Sequence, residues 1–155
     1  NPPEKVDYTA KLMLAGSIPG YWEMDEIESA GAYIAADAAC LGDRAYHPPV
    51  AETGDPMQAL FDAYVMENLC PHRRPADRLV EYMQKIARER QVEGIIYLTL
   101  KYCHPWGLAA ERMKKEMQLP FLRLDTDLTS PAVANFRTRV GAFIEMLDAQ
   151  RRRAV

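Results

Sequence analysis

Cys70 and Cys103 are the residues of this chain best suited to chemistry, and their surroundings are alike. Cys103 closes the stretch V-E-G-I-I-Y-L-T-L-K-Y-C-H-P (92–105), where an apolar run long enough for a buried strand ends in Lys101, Cys103 and His104 before a proline. Cys70 opens C-P-H-R-R-P, a proline-rich break between two helical stretches. Thiolates are metal ligands and nucleophiles, and they are favoured near helix N-termini. Soft sulfur donors with few supporting histidines favour an iron–sulfur cluster over other metals. On spacing alone a second reading stays open, in which both cysteines are small buried hydrophobes.

Other groups could join them. His72 and His104 each follow a cysteine, and Lys101 could hold an anion. Gly16-Ser17 before a helix could cradle phosphate through backbone amides, although a plain tight turn explains the same pair. Asp125 and Asp127 could form a paired acid site or cap the following helix. Trp106 reads as a lid over the edge of the core, and Cys40 as structural.

The elements that must position these groups follow from the hydrophobic pattern. Lys11–Ala15 reads as a buried strand and G-S-I-P-G (16–20) as a turn. A helix is expected over Tyr21–Ser29, stopped by Gly31, and then a strand over Ala32–Ala36 with Asp37 at its carboxyl end. Residues 40–91 are too long for one crossover. His47-Pro48-Pro49 and T-G-D-P (53–56) mark loop, and Asp55 caps a helix over Pro56–Leu69 with Leu60, Phe61, Tyr64 and Val65 turned inward. A second helix over Ala76–Gln91 carries Leu79, Val80, Met83, Ile86 and Ala87 on one face. After the Val92–Leu100 strand come a helix to Met117, a strand over Phe121–Leu124, and a last helix capped by Ser130 with Pro131 at its first position. Arg151-Arg152-Arg153 reads as a solvated tail beyond that helix.

The order β-α-β-(α-α)-β-α-β-α implies an α/β fold of three layers, a four-stranded parallel sheet flanked by helices, Rossmann- or flavodoxin-like; analogy with other open three-layer folds gives the strand order 2-1-3-4. Parallel strands end on one edge, which is where ligands bind in open α/β sheets. Ser17, Asp37, Lys101 to His104 and Asp125 to Asp127 should meet there. Cys70 should join them, because the helix after it leads back down the sheet into the third strand.

Whole-chain numbers bound the alternatives. The 155 residues suit one domain with a core of its own, and 48% of them are hydrophobic. A net charge of −3 argues against nucleic acid as a partner. No apolar run is long enough to span a membrane. The start, N-P-P-E-K-V-D-Y, has neither a signal-peptide core nor a methionine, so the chain is expected to be trimmed or excised from a longer one. Three widely spaced cysteines with no C-x-x-C pair point to a reducing, cytoplasmic setting.

Several segments together carry a family resemblance. G-I-I-Y-L-T-L-K-Y-C-H-P-W (94–106) resembles the strand–cysteine segment of the 2-hydroxyacyl-CoA dehydratase / benzoyl-CoA reductase family. L-P-F-L-R-L-D-T-D (119–127) is similar to its P-x-L-x-x-E-x-D strand end, and N-F-R-T-R-V-G-A-F-I-E-M-L (135–147) to its closing helix. G-A-Y-I-A-A-D (31–37) and G-D-R-A-Y (42–46) resemble G-A-x-V-V-x-D-D-x-x-x-G-x-R-Y. The resemblance runs over nearly the whole chain and implies the C-terminal domain of a longer subunit. It also implies a [4Fe–4S] cluster on three cysteines, with Cys70 and Cys103 fitting two and an absent N-terminal domain bringing the third. By itself this stretch is then expected to hold no complete cluster, and Cys103 to be a free thiol. The implied partners are a related second subunit in a heterodimer, an ATP-dependent activator iron–sulfur protein and an acyl-CoA. The implied reaction passes a low-potential electron to the thioester carbonyl, and the ketyl radical then loses a hydroxyl group or leads to ring reduction. Two other readings stand beside it: a non-catalytic flavodoxin-like module binding a nucleotide or docking a subunit through Gly16-Ser17 and Ser130, and a subunit that mainly supports a cluster-bearing partner.

Overall fold

Strand and helix alternate as the periodicity dictates, and the strands bury both faces. In the computed structural model, which describes residues 7–46, 49–73, 77–127 and 133–153, β1 (Ala10–Gly16), β2 (Ala32–Ala39), β3 (Gly94–Leu100) and β4 (Phe121–Thr126) form one parallel sheet in the order β2-β1-β3-β4. Along β1, Met13 and Ala15 face one layer and Leu12 and Leu14 the other; along β3, Ile95 and Tyr97 oppose Ile96 and Leu98. This two-sided burial is what makes the strands read as continuous apolar runs.

Helices α1 (Tyr21–Ser29) and α5 (Val133–Arg153) cover one face, and α3 (Asp77–Glu89) and α4 (His104–Met117) cover the other. With this strand order, that placement is the one right-handed crossovers require. The stripe of α3 buries Leu79, Val80, Met83, Ile86 and Ala87 as its spacing predicts. Gly16 ends β1 at φ +109°, and a Cβ there would run into the Leu98 carbonyl, so the chain leaves the sheet only because this residue is glycine.

Four expectations change. The helix expected over Pro56–Leu69 is short: α2 (Pro56–Phe61) starts as foreseen, with Asp55 Oδ1 accepting the Gln58 N–H at 2.8 Å, but it runs into a π turn at Asp62–Met66. The wider turn breaks the 3.6-residue register. Ala59 and Ala63 take the inward side, while Leu60, Phe61, Tyr64 and Val65 stay 42% to 51% exposed. Trp106 is not a lid; it is fully buried at the centre of the α3/α4 layer. Arg151-Arg152-Arg153 form the last turn of α5 rather than a tail, and Arg151 and Arg152 pair with Asp148. Strand β2 runs on through Ala39, three residues past its expected end. The expected Ser130 cap with Pro131, and the His47-Pro48 loop, lie outside the described residues.

Candidate functional site on the carboxyl edge of the sheet

The strand order reverses between β1 and β3, and in open α/β sheets ligands bind outside the carboxyl ends at such a switch point. Ser17 directly follows β1 and the segment from Lys101 to His104 directly follows β3. Ser17 is buried: its N–H donates to the Leu98 carbonyl at 2.8 Å, and its Oγ accepts the Leu100 N–H at 3.1 Å. It joins β1 to β3 as a backbone staple. At the start of α1 the Gly20 N–H already donates to the Glu23 carboxylate at 2.6 Å. Burial pushes the pKa of Glu23 up, against the pull of that hydrogen bond.

Cys103 stands at the N-cap of α4, with Pro105 in the first turn. Its N–H donates to the Leu100 carbonyl at 2.9 Å and its carbonyl accepts the Gly107 N–H at 3.0 Å, while its sulfur takes no part in capping. The preceding residue, Tyr102, has φ +70°, an uncommon conformation for an aromatic residue that turns the chain sharply from strand to helix. His104, the first residue of α4, is exposed. Lys101 is exposed and pairs with Asp127 at 2.9 Å, and that carboxylate raises its pKa. Asp125 lies within β4 and pairs with Arg123 at 3.3 Å.

Cys70 follows the buried Leu69 in the loop between the π turn and α3. Its carbonyl accepts the Arg73 N–H at 2.9 Å, and its sulfur lies 3.3 Å from His72 Nδ1. Arg73 also donates to the carbonyls of Val65 and Met66, which ties this loop to the π turn.

Two features were missed in the sequence. Because β2 is longer than expected, Cys40 also emerges at the carboxyl edge, where the Trp106 indole N–H donates to its sulfur at 2.8 Å. Arg44 is 4% exposed, donates to the carbonyls of Leu69 and Cys40, and lies 5.2 Å from the Trp106 ring centroid. The G-D-R-A-Y motif already contained this arginine; what was lacking was the true end of β2. Beneath them, the Tyr97 hydroxyl donates to the Trp106 carbonyl at 2.8 Å. Burial drives the Tyr97 phenol pKa well up, and the nearby Cys103 and Cys40 add to the rise against Arg123. Asp37 is likewise raised by burial, against the Ala39 N–H that its carboxylate accepts at 2.9 Å.

All three cysteines are partly buried and free of disulfides. Among the described residues, no three His, Cys, Asp or Glu side chains converge as a metal site. The cysteine sulfurs are donors of the kind that soft metals and clusters take. No described helix is long and apolar enough to cross a membrane.

Comparison with known proteins gives the chain its relatives. The chain is 32% identical over 151 residues to the putative dehydratase subunit YjiM of Escherichia coli (strain K12), covering 93% of this chain and 39% of that one. It is 26% identical over 117 residues to the (R)-phenyllactyl-CoA dehydratase beta subunit of Clostridium sporogenes, covering 74% and 31%. With one of the benzoyl-CoA reductase subunits of Thauera aromatica it shares 24% over 127 residues, covering 78% and 33%. It thus spans at most 39% of the length of these relatives. The model of the family described as 2-hydroxyglutaryl-CoA dehydratase, D-component, matches residues 1–147, nearly the whole chain, and to that family the chain belongs.

Proposed function

We propose that this chain is the cluster-bearing C-terminal region of an acyl-CoA dehydratase or reductase subunit, with Cys70 and Cys103 as two sulfur ligands of a [4Fe–4S] cluster and the third ligand supplied from outside residues 1–155. The observation that supports the reading is that Cys70 and Cys103 are partly buried and disulfide-free, and that Arg44 engages a neighbour of each, the Leu69 carbonyl and the Trp106 ring. When bound, such a cluster supplies one-electron transfer at low potential, here toward the thioester of an acyl-CoA.

The chain's own residues hold and shield. Cys103 is fixed by its backbone bonds at the α4 N-cap and Cys70 by the Arg73 turn. Leu69, Tyr97 and Trp106 close the inner side of the edge to water. Lys101 and His104 are exposed on either side of Cys103, and the Lys101 ammonium suits the anionic groups of a CoA ester. Cys40 is structural, its sulfur being taken up by the Trp106 N–H.

The relatives are named as enzyme subunits, and a related second subunit, with an ATP-dependent activator as electron donor, completes the reading. Met57, Phe61, Val65 and Met66 are exposed apolar side chains of α2 and the π turn, and exposed apolar surface marks interaction sites. We seat the second subunit there. The test is the full-length subunit made without oxygen: it should carry iron and labile sulfide, and Cys70→Ser or Cys103→Ser should remove them. A full iron load in both variants refutes the assignment.

A further inference from the structure

We propose that Arg44 is the positioning residue of the cysteine site, a buried fork that fixes the Cys70 loop against the start of α4 and so sets the spacing of Cys70 and Cys103. The inference deepens the cluster reading and rests on it. Arg44 sits in the 3₁₀ turn Asp43–Tyr46 that follows β2. One guanidinium nitrogen donates to the carbonyl of Leu69, the residue before Cys70. The other donates to the Cys40 carbonyl at 3.3 Å. The plane of the group lies over the ring of Trp106, three residues beyond Cys103. A single side chain thus touches the exit of β2, the Cys70 loop and the first turn of α4.

That arrangement is costly in a way packing alone does not explain. A buried cation is usually matched by a carboxylate placed directly on it. Among the described residues, the hydrogen bonds of Arg44 go to carbonyl oxygens, and its Nε is buried without a partner. Asp37, half-buried and acting on Arg44 through space, is held back by its own bond to the Ala39 N–H. Gly42 lets the turn close: a Cβ there would run into the Asp37 carboxylate. Packing alone would be served by an apolar side chain. A planar fork serves where two backbone segments must be held at one separation, and lysine cannot reproduce it.

The test uses the full-length protein with Arg44→Met or Arg44→Lys, folding being checked by circular dichroism. One readout needs no iron: the yield of the dibromobimane cross-link between Cys70 and Cys103 in the apo-protein, followed by peptide mass spectrometry. The other is iron retention against a chelator. The expected result is a folded protein in both variants, with the cross-link largely lost and iron held about tenfold more weakly, as when a group that orients metal ligands is removed. An unchanged cross-link yield in folded Arg44→Met overturns the proposal, as does outright unfolding of both variants, which assigns Arg44 to general stability. If the wild-type cross-link depends on Arg44 but the wild-type protein holds no iron, the tie is supported and the cluster reading falls. If iron is present and insensitive to Arg44, the cluster reading stands and this inference falls.

Discussion

Replacing Trp106 tests whether the edge is built on a rigid core or under a movable lid. The ring is fully buried, stands edge-on to Tyr97 with centroids 5.8 Å apart, donates to the Cys40 sulfur and underlies Arg44. Trp106→Phe keeps most of the apolar surface but loses the N–H, worth about 1 kcal/mol for a typical hydrogen bond and less for sulfur. It also weakens a cation–π contact worth roughly 0.5–2 kcal/mol. The expected loss is therefore about 2 kcal/mol, while Trp106→Ala opens a cavity and should cost about 3–5 kcal/mol. Urea denaturation of the 155-residue chain reads both, and for a chain of this size the Phe variant should melt roughly 4–8 °C lower. A cycle with Cys40→Ala isolates the N–H···S bond, and about 0.5–1 kcal/mol of coupling is expected. If Trp106→Phe and Trp106→Ala both unfold like the wild type, Trp106 is a lid after all. Zero coupling with Cys40 would remove the sulfur bond from the account.

Further outcomes follow from the same geometry. Glu23 has a pKa raised above 4.5 by burial, so the stability it lends is fully present below its unfolded pKa and is lost as pH rises through the higher folded value. The stability advantage of wild type over Glu23→Gln, followed by denaturation from pH 7 down to about pH 4, should therefore grow as pH falls; a flat difference contradicts the buried carboxyl. Gly16→Ala should prevent folding, because strain at φ +109° is joined by collision with the Leu98 carbonyl, whereas Gly54→Ala, at φ +90° in open space, should cost only about 1–2 kcal/mol. Comparable melting of the two variants would mean that β1 does not leave the sheet as described. Met57 is 74% exposed and Met66 47%, so both should oxidise readily with peroxide in the isolated full-length protein and become protected once the second subunit binds. Equal oxidation in both states, or protection already present in the isolated protein, rules out the α2 face as the subunit interface.

Much of the fold was legible because it rests on repetition. The apolar runs of β1 and β3, the stripe of α3 and the Asp55-Pro56 helix start each encode a local structure, and analogy with other open three-layer folds supplied the strand order that the sheet has. The sequence was misleading where one residue changes the register. The π turn at Asp62–Met66 turned Leu60 and Val65 outward, and no periodicity signals such a turn. The end of β2 was misplaced because Ala38 and Ala39 are too small to declare themselves strand, although both are fully buried.

The cysteine edge divides along the same line. Sequence alone determined that Cys103 ends a buried strand, that Cys70 precedes a helix returning to the sheet, and that both belong on one edge, because chain direction in a parallel sheet leaves no other arrangement. Only the tertiary structure decided what holds them there. Arg44, Cys40 and Trp106 are distant in the chain and meet through contacts made in space: a guanidinium on two carbonyls and an indole N–H on a sulfur. Such contacts depend on the packing of three separate segments, and no local pattern of residues encodes them.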